Sequence, residues 1–211
     1  MDVVVVGGHG QVALRLLALL AERGNRARGV IRNPDQAADL ESRGAEAVVC
    51  DIESEDLTDA VKGADAVVFA AGAGPGSGPE RKRTVDLGGA VKLIEGAKAN
   101  GVERYVIVSS INADRPENWS DQMRPYFEAK AAADEAVAES GLAYTIVRPG
   151  SLTDEPGQGR VAVAESLPGG PISRDDVAAV LAETLRADNT IGKAFDLVGG
   201  EDPIADAVRA L

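Results

Sequence analysis

Aromatic residues are scarce in this 211-residue chain: three Phe, three Tyr and one Trp amount to 3%. A core must therefore be assembled from Val, Leu, Ile and Ala. There is one cysteine, Cys50, so no intrachain disulfide can form. Inside the apolar run Ala47-Val48-Val49-Cys50 it reads as a buried, inert thiol. No apolar stretch approaches the roughly 20 residues of a membrane span. The first run, Val3–Val6, lacks a basic leader and is cut off by glycines, so it does not read as a signal peptide, and a cytoplasmic location is expected. Positive charge is also in deficit. Lys and Arg number 22 against 34 Asp and Glu, a formal net charge of −12. Such a surface repels phosphate backbones and anionic membranes, which argues against nucleic-acid and membrane partners and leaves a small-molecule substrate. Oligomeric state is not legible. Any anionic ligand would need local positive groups.

What is present is a regular alternation. Short Val- and Ile-rich runs occur at Val3–Val6, Arg28–Ile31, Ala47–Cys50, Ala66–Ala70, Tyr105–Val108 and Tyr144–Val147. They are continuous rather than alternating, the pattern of strands buried on both faces of a parallel sheet. Helical patterns lie between them, at about Gln11–Glu22, Asp35–Arg43, Asp56–Val61, Arg81–Asn100 and Met123–Ser140, with glycines such as Gly24, Gly44 and Gly141 as stops. The order predicts an α/β fold: a Rossmann-like doubly wound parallel sheet, one domain over residues 1–211. After Pro149 the composition shifts. Gly150–Pro171 is rich in Gly, Pro and Ser and reads as a loop over the carboxyl edge. A helix over about Arg174–Arg186 capped by Ser173, a strand near Ala194–Val198 and a helix from Pro203 follow. Residues 150–172 and 194–211 are expected to form a small substrate-side cap.

The strongest motif lies at the first strand–helix junction, where Val3–Val6 runs into Gly7-Gly8-His9-Gly10-Gln11-Val12-Ala13. The spacing is Gly7-x-x-Gly10-x-x-Ala13. Gly7 permits a tight turn, Gly10 lets the backbone approach a pyrophosphate, and Ala13 lets the helix pack close to the strand. The pyrophosphate would meet free amides and the positive end of the helix dipole. His9 reads as a loop residue facing solvent or cofactor. NAD-specific sites place an acidic residue at the end of the second strand; here Gly29-Val30-Ile31-Arg32 ends on a guanidinium, which suits the 2′-phosphate of NADP. NADP is therefore expected, and NAD less so. Asp51-Ile52 would bracket the adenine, and Ala70-Ala71-Gly72-Ala73 would form a small-residue turn under the cofactor.

Tyr126-Phe127-Glu128-Ala129-Lys130 carries the candidate chemistry. A spacing of four puts Tyr126 and Lys130 on one helix face. A phenol has an ordinary pKa near ~10, and a neighbouring ammonium lowers it toward useful proton traffic. Ser109 and Ser110 follow the fifth strand, where a hydroxyl could hydrogen-bond a substrate carbonyl.

Together these residues resemble the atypical short-chain dehydrogenase/reductase superfamily, in its NmrA-like and biliverdin reductase B-like branch. The resemblance rests on the Gly7–Gly10 turn, Val30-Ile31-Arg32, Asp51, Val108-Ser109-Ser110, Tyr126 to Lys130, the run from Ser140 through Arg148-Pro149-Gly150-Ser151-Leu152-Thr153, and Ile172 to Ala178. It implies that Lys130 bonds the nicotinamide ribose, that Pro149, Gly150, Ser151 and Leu152 line the nicotinamide, and that Tyr126 is a general acid assisted by Ser110. The function implied is NADPH-dependent reduction of a small carbonyl or a quinone- or flavin-like compound. A second reading is a redox-sensing NADP(H)-binding module without turnover. A third is an epimerase or dehydratase, against which the short region after Pro149 argues, because a nucleotide sugar needs a larger substrate lobe. Arg148 reads as holding the loop, and Arg174-Asp175-Asp176 as a capped helix start.

Overall fold

The chain alternates strand and helix from its first residues. The computed structural model describes residues 1–74 and 76–211. In order, β1 (Asp2–Val6), α1 (Gln11–Glu22), β2 (Arg26–Ile31), α2 (Ala37–Glu41), β3 (Glu46–Val49) and β4 (Ala66–Phe69) form the first half. α3 (Pro79–Lys82), a π-helical segment over Arg83–Gly88, α4 (Gly89–Ala99), β5 (Arg104–Val108), α5 (Arg124–Ala138) and β6 (Ala143–Pro149) follow. The remainder comprises β7 (Ser151–Thr153), β8 (Arg160–Ala164), β9 (Pro171–Ser173), α6 (Arg174–Thr184), β10 (Lys193–Gly199), β11 (Asp202–Pro203) and α7 (Ile204–Ala210).

The main sheet runs β11-β8-β10-β6-β5-β4-β1-β2-β3, with β10 through β3 parallel. The four valines of β1 show why an unbroken apolar run is needed. Val3 and Val5 enter the core beneath α1 and α6, whereas Val4 and Val6 enter the core beneath α4 and α5, and all four are fully buried. The chain leaves β3 at one edge and returns to the far side of β1 as β4. Strand order reverses there, and a crevice opens between the turns after β1 and β4, the place where such sheets bind ligands.

Several expectations are corrected. Asp56–Val61 is not a helix but a series of turns. Asp56 Oδ1 accepts from the Thr58 amide at 2.9 Å, and Leu57 and Val61 bury fully, so the segment is anchored by packing and is too short to propagate a helix. The second helix is shorter than Asp35–Arg43. Asn33 accepts from the Asp35 amide and starts a 3₁₀ turn at Pro34–Gln36 before α2. The predicted 81–100 helix begins earlier, at Pro79, and passes through the π-helical segment. β3 is an edge strand, not one buried on both faces, and Val49 is 55% exposed. Cys50 lies just beyond it and is buried, with its thiol pushed up by burial. Gly150–Pro171 is not a plain loop: β7 pairs with β9, and β8 pairs antiparallel with β10, so the sheet is mostly but not wholly parallel. Residues 194–211 place β10 beside β6 inside the sheet and dock α7 on α6 and β8.

Candidate functional site: a two-part cleft at the sheet's carboxyl edge

Gly7 has φ +82°, and a Cβ there would meet the Ala71 backbone at 2.7 Å. The turn after β1 is thus pressed against the turn after β4. Gly8 plays a different part. Its amide donates to the Val30 carbonyl at 2.8 Å, and a Cβ would meet Gly29 Cα at 2.8 Å, so this residue packs β1's turn onto β2 and lines neither part of the cleft. Gly10 is extended and precedes α1. No side chain caps that helix, and no acidic residue sits in its first turn. The contrast with α6 is direct: Ser173 caps that helix, with Asp175 and Asp176 in the first turn. The α1 terminus keeps its amides and dipole for an external anion, and a backbone cradle without side chains fits a dinucleotide pyrophosphate.

Two cleft regions meet at this turn. The first, of about 290 Å³, is lined by Gly7, His9, Gly10, Arg32, Asp51, Ile52 and the Ala70–Ala73 turn, and thus gathers the residues read as adenosine contacts. Glu53 and Arg81 line it too. His9 Nε2 is 2.7 Å from Asp39 Oδ2, and Asp51 Oδ1 accepts from the Glu53 amide at 3.0 Å. The second region, of about 930 Å³, is lined by Gln11, Val12, Ser109, Ser110, Tyr126, Lys130, Pro149, Gly150 and Leu152. Ser151 is exposed in β7 and lines neither region.

Tyr126 is half-buried and meets Phe127 edge-on at 5.2 Å; Phe127 in turn stacks on Trp119 at 5.8 Å. Three of the seven aromatic residues therefore gather beside the larger cavity. Lys130 is buried. Its ammonium lies 3.2 Å from Asp86 Oδ1 and donates to the Val108 carbonyl at 3.2 Å; these, not the phenol, are its partners. Asp86 comes from the π-helical segment and also accepts from the Ala73 amide at 3.0 Å, tying the turn after β4 to the helix that carries Lys130. Behind Ser109 lies a second buried carboxylate, Asp134, which accepts from Arg148 Nε at 3.0 Å. Burial pushes the Asp134 pKa up, and Ser109 and Arg148 oppose that shift. Arg148 also donates to Asp114 at 2.5 Å, joining the loop after β5 to α5 and β6.

Sequence reasoning missed Glu53, Arg81, Lys82, Asp86, Asp134 and Arg174. The run Pro79-Glu80-Arg81-Lys82-Arg83, basic in an acidic chain, was a usable signal for two of them. Arg174 both opens α6 and lines the larger cavity, where it pairs with Asp154 at 2.8 Å. Asp86 gave no sequence signal, because its placement depends on the π-helical register.

The family model described as NAD(P)H-binding matches residues 7–188. An uncharacterised sugar epimerase of Bacillus subtilis, YhfK, is 43% identical over 214 residues, covering all of both chains. A solved Bacillus halodurans structure, provisionally named an NAD-dependent epimerase/dehydratase, superposes with a TM-score of 0.95 at 41% identity, again covering all of both chains. The oxidoreductase ylbE of Lactococcus lactis has a TM-score of 0.89 at 27% identity, with 100% of this chain and 96% of that one covered. The uncapped α1 terminus, the glycine cradle and these likenesses converge: the chain belongs to the NAD(P)H-binding Rossmann-fold family, among oxidoreductase-like proteins.

Proposed function

We propose that the protein is an NADP(H)-dependent reductase of a small carbonyl or a quinone- or flavin-like compound. The observation that carries this reading is the cavity of about 930 Å³ beside the glycine turn, walled by Val12, Met123, Pro125, Tyr126 and Leu152. Pockets for drug-sized ligands span roughly 300–1,000 Å³. A cavity at the top of that range has room for a nicotinamide and one small partner. The α1 amides would hold the pyrophosphate, and Arg32 would take the 2′-phosphate. NADPH, when bound, supplies a hydride.

The chain's own residues complete the reaction. Tyr126 delivers a proton to the carbonyl oxygen as negative charge develops on it, and the Ser110 hydroxyl donates a hydrogen bond to that same oxygen. Lys130, fixed by Asp86 and the Val108 carbonyl, positions the nicotinamide ribose. Charge in the cavity runs against the molecule's. Lys82, Lys130 and Arg174 line it; Asp86 pairs with Lys130 and Asp154 with Arg174, so among the described residues Lys82 is the cation left without a carboxylate partner, and a substrate bearing an anionic group suits the cavity better than a cationic one.

A second reading has the support of two names. The relatives called epimerase match the chain from end to end, which favours an epimerase acting on a sugar smaller than a nucleotide sugar. Assaying NADPH oxidation against quinones, aldehydes and flavins, alongside epimerisation of simple sugars, separates the two. We expect turnover of at least one panel member. Sugar epimerisation with no net NADPH oxidation would sink the reductase reading, and tight NADPH binding without either activity would move a sensing role ahead. Cofactor preference is tested beside it: NADPH should bind roughly ten- to a hundredfold more tightly than NADH, and Arg32→Ala should erase most of that margin. Equal affinities in the wild type would refute the NADP assignment.

A further inference from the structure

The smaller cleft region carries an anion of its own. Glu53 Oε2 lies 3.7 Å from Arg32 Nη1, 3.3 Å from Arg81 Nη2 and 3.4 Å from Arg81 Nε. Its other oxygen accepts from Thr84 Oγ1 at 2.9 Å. Side chains following β2, in α3 and in the π-helical segment therefore converge on one carboxylate that follows β3. The three charged side chains remain 30–59% exposed, so water screens the pairing and the groups can exchange partners.

Two guanidinium groups converging on a single oxygen form a seat for a phosphate. A carboxylate in the same place suits ribose hydroxyls, which donate to it. The two uses exclude each other, because a carboxylate and a phosphate dianion repel at contact distance. We propose that Glu53 is the specificity-determining residue of the dinucleotide site. With a free ribose hydroxyl, Glu53 keeps both arginines and accepts the hydroxyl. With a 2′-phosphate, Glu53 must release both arginines to the ligand, and NADPH affinity is held below what Arg32 and Arg81 would give unopposed. The inference rests on the reading that this region takes the adenosine ribose.

Titration calorimetry with NADPH, NADH, 2′,5′-ADP and 5′-AMP tests it on the wild type, Glu53→Gln and Arg81→Gln. Glutamine keeps the volume and can still accept from Thr84, and circular dichroism checks that each variant is folded. We expect Glu53→Gln to tighten NADPH and 2′,5′-ADP by roughly tenfold without tightening NADH or 5′-AMP, and Arg81→Gln to weaken the two phosphorylated ligands by roughly tenfold. A folded Glu53→Gln protein with an unchanged NADPH-to-NADH ratio overturns the inference while leaving the site reading intact. If wild-type protein prefers NADH and Glu53→Gln moves it toward NADPH, the inference stands and the NADP assignment falls. If neither adenosine fragment competes with the dinucleotide, the ribose is elsewhere and both are overturned.

Discussion

Tyr126 and Lys130 stand one helical turn apart yet keep different company, and altering them should have separable consequences. The phenol faces the cavity and packs on Phe127, so Tyr126→Phe removes a proton and little else. We expect the reduction rate to fall roughly 10²–10⁴-fold with NADPH affinity nearly unchanged; turnover that survives intact would mean the proton comes from water or substrate. Lys130→Ala should lower affinity as well as rate if that ammonium holds the ribose, as proposed. Asp134 offers a readout through stability. Burial raises its pKa above the unfolded value of about 3.9, so its contribution is fully present below that pH and is lost as pH rises through the folded pKa. Urea unfolding of the wild type and Asp134→Asn should therefore show the difference between them shifting against the wild type above about pH 4. A flat difference, or one of opposite slope, would show that the carboxylate is not burdened by its surroundings.

Among elements, the π-helical segment Arg83–Gly88 is the one whose register matters most to the cleft. It places Asp86, which is 1% exposed, against an ammonium that is itself buried. Asp86→Asn leaves that ammonium without its counter-charge, and breaking one partner of a buried pair typically costs about 3–5 kcal/mol. We expect a loss of that order in denaturant unfolding, together with weaker dinucleotide binding, because the Ala73 amide loses its anionic acceptor. This element also marks where sequence reading stops. The Val3–Val6 and Tyr105–Val108 runs were legible as buried strands because burial on both faces demands unbroken apolar sequence, and Gly7 and Gly10 were legible as a tight turn because close backbone approach calls for glycine. β8 was not. It pairs with β10 some thirty residues further on, and only its partners make Val161 and Ala162 a strand. Glu53 and Asp86 escaped for a related reason: each is an ordinary surface charge in sequence and acquires meaning only from a side chain on another element.

At the scale of the whole molecule, charge and edges dominate. A net charge of −12 on 211 residues is self-repelling, and salt screens repulsion over about 10 Å at 0.1 M. The melting temperature should rise between about 0.01 and 0.15 M sodium chloride; a fall would mean that the Arg–Asp and Arg–Glu pairs outweigh the repulsion. The two margins of the sheet differ in a way that bears on how copies of the chain could meet. At one side β11 is two residues long and ends in Pro203, which has no amide hydrogen to offer a newcomer. At the other side β3 presents four residues, with Val49 turned outward. Lateral growth needs two adhesive sides on every unit, as in a filament. A unit with one adhesive side can only join the same side of a second copy, related by a two-fold rotation, and then stop, so strand-to-strand association of this fold would end at a closed pair.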